Sequence, residues 1–203
     1  GGASAAVAAA GATLLRGDVL DRADVGRALA GVPPPDAVVS LVGGRPFRKE
    51  PAPDWDGNRP LIDAAKAAGI RRFVLVSSIG AGHSRAAAPW IARLILGRFM
   101  ALKTQAEDYL RLSGLAWTIV RPGHLTDAPA NGRGQLLEDE RASGAIPRAE
   151  VAALLERVLR DDGTIGHTYS EIAPPGGGPR HADVAGQDAN DKVVGRSRQT
   201  RVP

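Results

Sequence analysis

Three short apolar runs, AVVSLV at residues 37–42, RRFVLVSS at 71–78 and LAWTIV at 115–120, alternate with stretches whose apolar residues recur every three or four positions. Continuous β-branched runs suit strands covered on both faces, and parallel strands joined by helical crossovers provide that cover. The alternation therefore predicts an α/β fold, a doubly wound parallel sheet with right-handed connections. ATLLR at 12–16 and HTYSEIA at 167–173 read as further strands. Asp21 is placed to cap a helix through Ala30, with Val25 and Leu29 on one face and Gly31 beyond its end. Further helices are expected from Asn58 to Ala68, from about Pro89 to Leu112 with a break near Gly97, and from Arg148 to Arg160, where Val151, Leu154, Leu155 and Val158 share a face. The segments 45–56 and 124–147 read as irregular loops. From Pro174 onward no period remains, so residues 1–173 are expected to form one domain and 174–203 a disordered tail.

Composition removes several classes of function. The chain of 203 residues has no Cys, which excludes disulfides, thiolate zinc sites and Cys nucleophiles and makes the cytoplasm the default compartment. No apolar run reaches the ~18 residues of a membrane span, and no basic segment with a leucine-rich stretch marks a signal peptide. The net charge is +4, half of it in the tail, so no basic face for a nucleic acid is expected. The four His are scattered without metal-ligand spacing, and Ser84 and the serines at 77–78 lack the G-x-S-x-G elbow of a hydrolase.

In a sheet of this kind ligands bind beyond the carboxyl ends of the strands. The residues that follow the runs are Gly17-Asp18, Gly43-Gly44, Ser77-Ser78-Ile79-Gly80 and Arg121-Pro122-Gly123. Glycine lets a flat ligand approach the backbone, and Asp and Ser offer hydrogen bonds to hydroxyl or amino groups. GDVLD (17–21), DAVVSLVGG (36–44), GNRPLIDAAKAAGIRRFVLVSSIGAG (57–82), ALKTQAEDYLRLSGLAWTIVRPGHL (101–125) and IPRAEVA (146–152) resemble the atypical short-chain dehydrogenase/reductases. Among these the chain is most similar to the NAD(P)H-binding, NmrA-like and biliverdin-reductase-B-like branch. The resemblance covers roughly residues 12–173.

That resemblance implies a Rossmann-like fold, an NAD(P)H cofactor with NADP slightly favoured, and hydride transfer to a small-molecule acceptor that the sequence does not identify. It places Asp18 and Val19 against the adenine, Gly43 by the adenosine ribose, and Ser77 and Ser78 by the nicotinamide ribose. Lys103 would bond the ribose hydroxyls, Pro122 and Gly123 would border the carboxamide, and Ser78 and Lys103 would be the catalytic pair. Alternatives stay open for three of these: Asp18 as a turn cap, Ser78 as a partner for loop backbone, and Lys103 as an i,i+4 partner of Glu107; Asn58 lies near a position where some relatives use an Asn and is equally well read as a helix cap.

Two departures from the family pattern matter. The Tyr expected four residues before the Lys is Phe99, which has no proton to donate. The G-x-x-G-x-x-G turn that would cradle the pyrophosphate has no counterpart in residues 1–16, so the chain is expected to be truncated, lacking the family's first β-α-β unit, and poor at binding a dinucleotide alone. The loss of the Tyr also supports an alternative function, a non-catalytic NAD(P)-binding redox-sensing regulator or assembly factor.

Overall fold

The computed structural model describes residues 2–30, 33–44, 52–87 and 96–173. The elements run α1 (Gly2–Ala9), α2 (Arg22–Leu29), β1 (Ala37–Ser40), α3 (Pro53–Asp56), α4 (Asn58–Ala67), β2 (Arg72–Val76), a 3-10 helix (Gly82–Ala87), α5 (Gly97–Arg111), β3 (Ala116–Pro122), β4 (His124–Thr126), β5 (Gln135–Leu137), β6 (Ala145–Pro147), α6 (Arg148–Arg160), a 3-10 turn (Asp162–Thr164) and β7 (Thr168–Ile172). The main sheet has the order β1-β2-β3-β7-β5. Its first four strands are parallel and β5 is antiparallel at the edge. This is the Rossmann-like α/β sheet that the apolar runs predict.

Strand alternation explains how the sheet is covered on both sides. Phe73, Leu75 and Ile119 face α2, α4 and α5 and pack with Val25, Leu29, Ile62, Ala65 and Leu110. Val74 and Val120 point the other way, into Ile146 and the Val151, Leu154, Leu155 and Val158 stripe of α6. Each such side chain, wholly removed from water, contributes about 1.5–3 kcal/mol. Asp21 caps α2 as expected, its carboxylate accepting the Ala23 N–H at 2.8 Å.

Four local expectations are corrected, the first at the end of the 45–56 segment, where Pro53–Asp56 forms the single turn of α3 with Pro at its start. Residues 12–16 form no strand: Leu14 and Leu15 are exposed, so the run has no sheet partner to pay for an extended backbone. β3 continues through Arg121 and Pro122, because the unpairable Pro122 nitrogen sits at the strand's end, where Gly123 N–H takes over by donating to Glu171 O at 2.9 Å. The 124–147 segment is not irregular throughout but carries β4, β5 and β6. β4 pairs with β6 in a separate two-stranded sheet and β5 with β7, non-local partners that no short window reveals. The tail 174–203, the loop residues 45–51 and residues 88–95 of the expected helical region lie outside the described residues.

Candidate dinucleotide site

The diglycine loop after β1 meets α3 and α5 at a buried carboxylate. Asp54, only 2% exposed, accepts the Gly44 N–H through Oδ2 at 2.7 Å, and its Oδ1 lies 2.8 Å from Lys103 Nζ. The Lys contact is an ion pair rather than an aligned hydrogen bond, for Oδ1 has no other partner among the described residues. A methyl group on Gly43 would stand 3.2 Å from Asp54 Oδ1 and 3.5 Å from Lys103 Nζ; on Gly44 it would stand 3.0 Å from Oδ2. The loop therefore needs glycine in order to lie this close to the pair. One helical turn earlier on α5, the Phe99 ring takes the ammonium at 5.1 Å from its centroid, a cation–π contact.

Asn58 locks the same loop from below. Its Oδ1 accepts Ser40 Oγ–H at 2.6 Å, while its Nδ2 donates to Asp54 O at 2.9 Å and Val42 O at 3.2 Å. It is not the cap of α4, a position held by Gly57. A methyl on Gly57 would fall 2.8 Å from Val19 Cγ1 and 3.0 Å from Val42 Cγ1, so Val19 and the diglycine loop are near neighbours. Val19 and Asp18 line a cavity of about 360 Å³ with Leu15, Arg16, Val25 and Leu61 among its walls. Asp18 Oδ1 also accepts the Leu20 N–H at 2.9 Å, so its role as a turn former is real whatever else it does.

The loop after β2 is fastened to the end of β3. Ser77 N–H donates to Val120 O at 2.7 Å and Ile79 N–H to Pro122 O at 3.1 Å, which brings Ser77, Ser78 and Pro122-Gly123 together. Ser78 Oγ–H spends its hydrogen bond on Ile79 O at 3.2 Å, whereas the buried Ser77 Oγ has no partner among the described residues. No hydrogen bond joins Ser78 to Lys103 among the described residues. The loop is tied to α5 instead by Gly82 N–H to Thr104 Oγ1, 2.8 Å, at the residue next to Lys103.

The Lys103–Glu107 alternative does not form. Glu107 is fully buried and binds Arg121 with both oxygens, at 3.0 and 2.6 Å, with Arg111 at 3.2 Å. Tyr109 is a packing residue, edge-on to Trp55 with its hydroxyl donated to Asp63 at 2.6 Å; that bond, aided by burial, holds its pKa above the ordinary value. Sequence reading missed Asp54 altogether. Its spacing of four from Asn58 was the available signal, but the helix that gives this spacing meaning is a single turn inside a Pro-rich segment.

The diglycine loop, the buried Asp–Lys pair and the loop serines belong to a protein of the Rossmann-like α/β class and lie beyond the carboxyl ends of its parallel strands, where such sheets bind ligands. A family model described as NAD(P)H-binding matches residues 3–162, and the chain belongs to that family. The resemblance to the atypical short-chain dehydrogenase/reductases is thereby borne out at the level of family and fold. The chain is similar to the solved structure of ChuY, an anaerobilin reductase from Escherichia coli O157:H7, with 32% identity and a TM-score of 0.70 over 78% of this chain and 74% of that one. It is 33% identical to an uncharacterised chloroplastic protein of Arabidopsis thaliana over 171 residues, 71% of this chain and 50% of that protein. Sanguinarine reductase of Eschscholzia californica is 36% identical over 112 residues, 52% of this chain and 40% of that enzyme. The chain thus spans about half the length of the curated relatives it matches. Among the described residues no helix is long and apolar enough to cross a membrane, and no cluster of three His, Asp or Glu could hold a metal ion.

Proposed function

We propose that the chain is the dinucleotide-binding part of an NAD(P)H-dependent oxidoreductase that passes hydride to a small-molecule acceptor, with NADPH the first cofactor to test. The observation that carries this reading is Lys103, held by Asp54 against the Gly43-Gly44 loop and one turn from Phe99. The residues fit the cofactor: a glycine cradle that a Cβ would fill, a buried Ser77 hydroxyl in want of a partner, and a cavity bounded by Asp18 and Val19. Asp18 and Val19 would receive the adenine, Gly43 the adenosine ribose, Ser77 and Ser78 the nicotinamide ribose, and Pro122-Gly123 the carboxamide. Lys103 has three N–H donors to offer ribose hydroxyls while its charge is balanced by Asp54. When bound, the dinucleotide supplies the hydride. Phe99 offers no proton at the helix turn that faces Lys103, so the acceptor is one whose reduction needs no acid there, such as a flavin, a quinone or a tetrapyrrole. The names of two relatives, anaerobilin reductase and sanguinarine reductase, support the choice of a reductase.

Phe99 also favours a second reading, a non-catalytic redox-sensing regulator that binds the dinucleotide without turning it over. Calorimetric titration of NADPH and NADH into the 203-residue chain and into the product of its whole reading frame tests the shared part of both. Binding to either product with a quinone- or flavin-dependent loss of absorbance at the reduced nicotinamide band supports the enzyme. Binding without turnover supports the regulator, and no binding to either product refutes both.

A further inference from the structure

We propose that Asp54 is the positioning residue of this site: it acts through Lys103, fixing the ammonium at a set distance from the diglycine loop. The inference rests on the dinucleotide reading above and adds to it a residue that the family resemblance did not assign. Asp54 is itself immobilised at three points. Its carbonyl accepts from Asn58 Nδ2 at 2.9 Å, its Oδ2 from Gly44 N–H at 2.7 Å, and its backbone lies in the single turn that Pro53 opens. Its remaining oxygen, Oδ1, is buried and among the described residues has Lys103 Nζ, at 2.8 Å, as its charged partner.

One carboxylate thus joins two groups that the proposed function assigns to opposite riboses of the ligand, the Gly43 backbone and the Lys103 ammonium. Lys103 has four rotatable bonds, and without an anchor its charged end would sample many positions near an opening that leaves its side chain 11% exposed. Phe99 confines the ammonium from another side, at 5.1 Å, but a ring face does not fix its distance from the diglycine loop. The buried carboxylate does, because its charged Oδ1 holds Nζ at 2.8 Å on the Gly43 side. A buried ion pair is costly to desolvate and contributes little net stability compared with apolar packing, so a role in stability alone would explain this pair poorly.

The test is a double-mutant cycle on the product of the whole reading frame, with Asp54→Asn, Lys103→Met and the two combined, titrated with NADPH and separately with AMP, which reports the adenine end. Asn keeps an oxygen for Gly44 N–H and removes only the charge that holds Lys103. The expected result is a loss of NADPH affinity of about tenfold for D54N, a similar loss for K103M, and no further loss in the double variant, with AMP affinity within about twofold of wild type throughout. Losses that multiply in the double variant, or an equal fall for AMP and NADPH, would mean that Asp54 supports the fold and does not position Lys103. Wild-type affinity in D54N would overturn the proposal directly. If D54N fails to fold by circular dichroism, Gly44→Ala takes its place, since the added methyl stands 3.0 Å from Asp54 Oδ2 and displaces the carboxylate while both charges remain; the same non-additivity with K103M is expected, and additive losses overturn the proposal. Absence of NADPH binding by the wild type refutes the dinucleotide reading itself, an outcome distinct from wild-type binding that Asp54 does not influence.

Discussion

Replacing Glu171 by Gln should remove a loss of stability that this fold suffers as the pH rises from about 4.5 to 8. Glu171 lies on β7 opposite Pro122, is wholly buried, and neither carboxylate oxygen has a hydrogen-bond partner among the described residues. Burial without a compensating cation pushes its carboxyl up to about 8 from an ordinary 4.5. The unfolded chain releases this proton near 4.5 while the folded protein keeps it to about 8, so between those values the unfolded state binds fewer protons and stability falls as pH rises. The contribution is fully present below 4.5 and gone above 8. At about 1.4 kcal/mol per pH unit the whole interval is worth about 5 kcal/mol, a large part of the stability of a domain this size. Gln keeps the shape and cannot ionise; its buried amide adds a cost that does not vary with pH. Urea unfolding of wild type and E171Q at intervals from pH 5 to 8.5 reads the difference, and the variant should gain on the wild type by several kcal/mol across the range. Parallel stability curves would refute the reasoning, because they would mean that the carboxyl finds a partner or water in the folded state.

Other perturbations have equally definite outcomes. Gly82→Ala places a methyl 2.2 Å from Arg121 Nη2 and 2.8 Å from Glu107 Oε2 at a residue with φ +52°, and should cost roughly 3 kcal/mol or more in urea by splitting a buried ion pair. Glu150 takes the N–H groups of Asn131 and Gly132 on one oxygen and of Gly134 on the other; burial would raise its pKa, but these three bonds outweigh it and hold it below the usual value. E150Q should therefore lose about 1.5–3 kcal/mol at neutral pH and speed amide exchange at residues 131–134. Because the folded value is the lower one, that stabilisation in the wild type is present above 4.5 and fades as acid carries the pH down through it, so wild type and variant should converge in acid. Gly57→Ala, which would press on Val19, Val42 and the Pro53 carbonyl at 2.8–3.0 Å, should weaken NADPH binding and lower the melting temperature together.

The sheet was legible because its strands are buried on both faces and announce themselves as unbroken β-branched runs. The helices were legible wherever a cap and a period coincide, as at Asp21 with Val25 and Leu29 or along Val151 to Val158. Neither signal exists for β4, β5 and β6, which are three residues each and are strands only because partners distant in the chain lie beside them. The ATLLR run shows the converse: local propensity predicted a strand that no neighbour completes.

By itself, then, the sequence determined the layers of this protein and the loops at the carboxyl ends of its strands, both of which depend on residues close together in the chain. Tertiary structure alone decided which charges meet. Helical spacing offered Glu107 to Lys103, but burial of Arg121 on β3 claims Glu107 with a two-pronged bond, and Lys103 turns to Asp54, 49 positions earlier. A buried charge takes the partner that best replaces its lost water, and that choice depends on which elements pack together, a property of the fold as a whole.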